Sequence, residues 1–171
     1  MRRGGGQFPL CLMLLLISHQ GWSLPTQTFQ VTASVVNGCV VSGTNPGVFG
    51  TLDFGTQPGV GSRSVSAAFV QSTTITLACT PGTTLNMSIN GGSNYGTSRN
   101  LKVANNTNLV AYSLYTNASH SAASAIPVNQ NVALTYSNAN NITLPIYGLL
   151  QLSGVNRAGT YSDTLTVTLS W

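Results

Sequence analysis

The feature that most limits what this chain can become is the strict alternation of its last eleven residues. Positions 161, 163, 165, 167, 169 and 171 hold Tyr, Asp, Leu, Val, Leu and Trp, and every position between them is Ser or Thr. A period of two puts one set on each face of a β-strand. One face is mostly apolar and the other hydroxylated. The strand is expected to run to the final residue, with no turn and no partner strand after it. A half-buried strand needs a neighbour for its backbone groups and a cover for its apolar face. Something other than a following strand has to supply both.

A second stretch carries the same pattern. Residues 29–35 read Phe-Gln-Val-Thr-Ala-Ser-Val, so Phe29, Val31, Ala33 and Val35 share one face. Asn37 and Gly38 break the pattern just before Cys39. Between the two terminal stretches, strands are predicted over residues 48–55, 64–70, 73–79, 84–90, 109–115, 128–136 and 142–152, the last interrupted by Pro145 and Gly148. Ile75, Leu77 and Cys79 should share one face, as should Leu85, Met87 and Ile89. Pro81-Gly82 and Asn90-Gly91-Gly92 are turn signals. Residues 93–108 and 116–127 are polar and read as loops, with Leu101 and Val103 touching the core. No segment sustains helical periodicity. Many short strands with Gly, Pro and Asn turns predict an all-β sandwich or barrel.

The first 23 residues of the 171 read as a secretory signal: Arg2 and Arg3, an apolar run over residues 10–17, then Gly21-Trp22-Ser23 at the cleavage point. The run is too short to span a membrane. The chain is therefore expected to be exported and cleaved. About 148 residues remain, enough for one domain with a single core. Without Arg2 and Arg3, four dispersed cations face Asp53 and Asp163, a net charge of +2 with no Glu anywhere. That is no footprint for nucleic acid. Such a surface hardly repels copies of itself, which suits an assembly as well as an ordinary secreted β-domain. Cys39 and Cys79 survive cleavage, and an even pair in an exported chain predicts a disulfide.

Catalytic groups are sparse. His120 is the one histidine after the signal, in a Ser/Ala loop where it is expected to be exposed. Asp53 and Asp163 fall on different strands, and Asp163 reads as the polar start of one. No Ser lies in a nucleophile elbow, no Gly-rich loop opens a helix, and no metal-ligand spacing occurs. The chain is expected to be no enzyme and to need no cofactor. Tyr95, Tyr112, Tyr115, Tyr136 and Tyr147 could line a carbohydrate site or simply pack in sheets.

Residues 37–40 (Asn-Gly-Cys-Val), 49–55 (Phe-Gly-Thr-Leu-Asp-Phe-Gly), 75–79, 87–92, 109–115, 144–148 (Leu-Pro-Ile-Tyr-Gly) and the ending from Gly159, in this order, resemble the spore coat protein U domain family. That family includes subunits of archaic, Csu-type chaperone–usher pili. The resemblance covers nearly all of the chain after the signal. It implies an incomplete immunoglobulin-like β-sandwich lacking its last strand and completed by donor-strand exchange. Residues 24–37 would form the N-terminal extension and 38–171 the pilin domain. It implies a periplasmic chaperone, an outer-membrane usher and other pilus subunits as partners, and a role in adhesion and biofilm formation. Phe29, Val31, Ala33 and Val35 match the expected donor strand. Leu165, Val167, Leu169 and Trp171 would line the acceptor groove, with the chaperone holding the Trp171 carboxylate. Two arrangements stay open: residues 29–35 complete a neighbour, or they close their own sandwich. In the second, the chain is a monomeric secreted spore-coat-type structural or carbohydrate-binding module.

Overall fold

Short alternating runs separated by Gly, Pro and Asn leave the backbone one ready way to satisfy its hydrogen bonds, the antiparallel ladder. The computed structural model describes residues 29–43 and 48–171. The signal and lead-in predicted for residues 1–28 lie outside the described residues. The chain divides into two units, residues 1–34 and 35–171. In the first, residues 29–34 belong to no strand.

Among the described residues of the second unit eleven strands form. They are β1 (Cys39–Gly43), β2 (Gly50–Leu52), β3 (Val60–Gln71), β4 (Ile75–Cys79), β5 (Leu85–Ile89), β6 (Arg99–Val103), β7 (Leu109–Tyr115), β8 (Val132–Leu134), β9 (Tyr147–Val155), β10 (Tyr161–Ser162) and β11 (Val167–Ser170). A single 3₁₀ turn covers Ala122–Ser124, and no α-helix occurs among the described residues. Three sheets result: β10-β6-β7-β9-β3-β2, β11-β5-β8 and the pair β1-β4. Every strand pair is antiparallel. The longest ladder joins β3 to β9, from Val60↔Val155 to Ala68↔Tyr147.

The alternation predicted for β4 and β5 holds. Ile75, Leu77 and Cys79, and Leu85, Met87 and Ile89, are all buried. β7 adds Val110, Tyr112 and Leu114. One core cluster draws on strands of all three sheets. Burying each large apolar side chain stabilises the fold by about 1.5–3 kcal/mol. The Pro81-Gly82 signal also holds: Thr83 N donates to Thr80 O at 3.1 Å, and Gly82 at φ 82° occupies the position a type II turn reserves for glycine.

Two expectations need correction, and one strand was not foreseen. β6 lies inside residues 93–108, read from sequence as a loop. Its Arg99 and Asn100 are buried, so an apolar pattern could not reveal it. β1 was hidden because its two valines follow Cys39 without alternation, and both are exposed. Residues 142–146 are not strand. Pro145 has no N–H for a ladder, yet Ile142, Leu144 and Ile146 still reach the core.

Candidate functional site

The last eleven residues do not form one strand. Tyr161 and Ser162 pair with Val103 and Lys102 of β6. Val167 to Ser170 pair with Ile89 to Asn86 of β5. Residues 163–166 therefore carry the chain from the six-stranded sheet to the three-stranded one. The side chains still alternate: Leu165, Val167 and Leu169 turn inward and pack on the core, while the Ser and Thr between them are exposed.

Residues 90–94 clasp the crossing. Asn90 N donates to Thr166 O at 3.1 Å, and Thr166 N returns a bond to Asn90 Oδ1 at 2.9 Å. Ser93 N donates to Thr164 O. Asn94 donates from its backbone and from Nδ2 to Asp163 Oδ1, both at 3.2 Å, and from Nδ2 to Ser162 O. The Asn90-Gly91-Gly92 turn makes this possible. Gly92 sits at φ 87°, and a Cβ there would lie 2.0 Å from Asp163 Oδ2.

Two buried side chains hold the clasp from behind. Tyr112 Oη donates to Asp163 Oδ2 at 2.7 Å. Burial, this bond and the Asp163 charge push the Tyr112 phenol well above its ordinary range, and Arg99 opposes that shift. Arg99 donates to four carbonyls: Asn90 O and Ile89 O at 2.9 Å, Ile126 O at 2.8 Å and Pro127 O at 3.4 Å. Its burial lowers its affinity for its proton, which Tyr112, Tyr95 and Asp163 counter. Asp163, read as a polar strand start, is thus an internal anchor. Nothing in the sequence pattern distinguishes Arg99 from the other dispersed cations.

Beyond the clasp, an apolar row is left half covered. β11 pairs only with β5 among the described residues, so Leu165, Val167 and Leu169 face inward without being buried. Trp171 lies past β11 and is 60% exposed. β1 repeats the situation. Among the described residues it pairs only with β4, and Val41 stands opposite Leu77. Leu77 is fully buried, whereas Val41 is 43% exposed. Val41 is a further lining residue that the sequence reading missed, although its spacing of two from Cys39 puts both on one face.

An open-sided cavity of about 680 Å³ lies where the final segment enters β10. Leu52, Phe54, Leu101, Val110, Leu150 and Leu152 give it apolar walls, and Asp53, Arg157, Tyr161 and Asp163 are among its polar ones. Asp53 and Asp163 do line one cavity, but both are engaged: Asp53 Oδ1 accepts from Gly55 N at 2.8 Å, and Asp163 is held as above.

Phe29, Val31, Ala33 and Val35 are exposed. Cys39 and Cys79 form a disulfide where β1 opens against the end of β4. His120 is half-buried rather than exposed, its ring edge-on to Tyr115 with centroids 5.1 Å apart. The tyrosines considered for a sugar face are scattered: Tyr112 is in the core, and Tyr136 Oη donates to Thr83 O.

A profile of the Spore Coat Protein U domain matches residues 25–168. No curated protein matches the sequence. Among solved structures, one similar chain is in the CsuC–CsuE chaperone–tip adhesion subunit pre-assembly complex from archaic chaperone–usher Csu pili of Acinetobacter baumannii. Its TM-score is 0.43 at 18% identity, covering 81% of this chain and 41% of that one. Another is a chaperone–tip adhesin complex of CFA/I fimbriae biogenesis, with TM-score 0.38 at 17% identity, covering 77% and 41%. This chain thus spans about two fifths of the length of those it matches. With a profile match over most of its length, the chain belongs to the Spore Coat Protein U domain family.

Proposed function

We propose that this chain is a structural subunit of a surface pilus, exported through a periplasm and assembled by a chaperone–usher route. Residues 29–35 of one copy would complete the open sheet of the next, in a fibre that supports adhesion and biofilm formation. The observation that carries this reading is the pair of half-covered strands. Val41 on β1 and Leu165, Val167 and Leu169 in the last segment face inward but keep solvent contact. Each strand has one unpaired edge among the described residues. Unpaired edges and partly covered apolar rows are what an added strand satisfies.

Phe29, Val31, Ala33 and Val35 are a strand of the right pattern to add, since their polar neighbours Gln30, Thr32 and Ser34 would face outward. Each large apolar residue so buried contributes about 1.5–3 kcal/mol. Before a neighbour arrives, a periplasmic chaperone would cover the same row, and an outer-membrane usher would exchange it. Head-to-tail addition does not close on itself, so it gives an open filament.

Deleting residues 24–36 tests the reading. The expected product is a subunit that folds with its chaperone but cannot extend a fibre. A deleted chain that assembles like the full one overturns the proposal.

A further inference from the structure

We infer that the face around the Cys39–Cys79 disulfide docks the body of a second copy of this chain, beside the added strand and distinct from it. The inference rests on the pilus reading above. Val36 and Val40 are 78% and 59% exposed. Val40, with Gly38, Ala78 and Thr80, surrounds a shallow, mostly apolar depression at the disulfide, and Val36 lies two residues before Gly38, its carbonyl held by Thr80. Val40 stands opposite Ala78, on the outward side of β1 and β4, whereas Val41 is on the inward side. Residues 36–43 and 75–80 contain no charged side chain, so copies meet there without repulsion.

What commits this face to a second copy is the shortness of the connection. Thr80 Oγ1 donates to Val36 O at 3.2 Å, and Thr80 N donates to Gly38 O at 2.8 Å. The chain is therefore tied to the end of β4 from Val36 onward. The segment that would enter the neighbour ends at Val35. Consecutive Cα atoms are about 3.8 Å apart. A domain of this size has a radius of gyration of about 14 Å. A neighbour holding Val35 in its groove cannot stand clear of Val36, and its surface has to rest on the apolar face that begins there. A free end would need a longer polar linker to keep the two bodies apart.

The test uses the full mature chain with Val40→Lys, and Val40→Thr as a control that keeps the branched shape. Ala78→Lys, on the neighbouring strand of the same face, guards against a local fault in β1. Binding of a synthetic 29–35 peptide to each variant is measured beside self-association of the chain by sedimentation. The expected result is unchanged peptide binding, self-association weakened about tenfold or more by either lysine, and a threonine variant close to the parent. Lysine variants that associate like the parent overturn this docking face and leave the pilus reading standing. A parent chain that neither binds the peptide nor associates overturns both.

Discussion

The phenol of Tyr112 and the carboxylate of Asp163 meet at 2.7 Å inside the domain, joining the middle of the six-stranded sheet to the point where the final segment leaves it. That contact, with Asn94 on the other carboxylate oxygen, fixes where residues 163–166 cross between sheets.

Tyr112→Phe should cost about 1.5–3 kcal/mol, the range for a hydrogen bond to a charged group, read as a shift in the urea midpoint. The pH dependence has a definite sign. The folded phenol binds its proton more tightly than the ordinary value of 10.0. Above pH 10 the unfolded chain therefore loses a proton that the folded chain keeps. Its contribution is whole below that pH and falls by about 1.4 kcal/mol per pH unit as the pH rises further. Tyr112→Phe should flatten that part of the stability–pH curve by one proton.

Arg99→Lys should destabilise by about 2–4 kcal/mol, measured by the same unfolding curves. Four carbonyls share one planar guanidinium. An ammonium is a compact donor and cannot reach all of them, so buried acceptors are left unmet.

Val167→Asp should weaken chaperone capture at least about a hundredfold, because a carboxylate would enter the half-covered apolar row. Thr168→Asp, on the exposed side of the same strand, should leave capture near the parent. Pull-down with the purified chaperone distinguishes them. Equal capture by the two variants would mean that the wrong face of the strand has been assigned.

Replacing Cys39 and Cys79 together by Ser opens a loop with a sequence separation of 40 residues. The chain-entropy relation puts the loss at about 4 kcal/mol. Thermal unfolding of the double variant against the oxidised parent measures it.

The alternating strands were legible because apolar residues at every second position have one easy reading. Leu77, Met87 and Val167 all face where that pattern puts them. What the pattern concealed is polar. Arg99 and Asn100 make β6 look like a loop, since their burial is offset by hydrogen bonds to distant carbonyls and to residues 94–98. Asp163 looked like a strand start, and its true partners are 51 and 69 residues away along the chain. The alternation of residues 161–171 passes unbroken through a change of sheet, because side-chain period records faces and not partners. Val41 lay in a stretch with no alternation to mark it, and only its place opposite Leu77 makes its half-exposure meaningful.

The Cys39–Cys79 bond also decides how the domain meets mechanical load. A pull on residues 29–35 would enter the body at Val36, held by Thr80, and reach a covalent link three residues later at Cys39. Tension would then pass straight into β4, whose Leu77 is sealed in the core, and would not peel β1 away one hydrogen bond at a time.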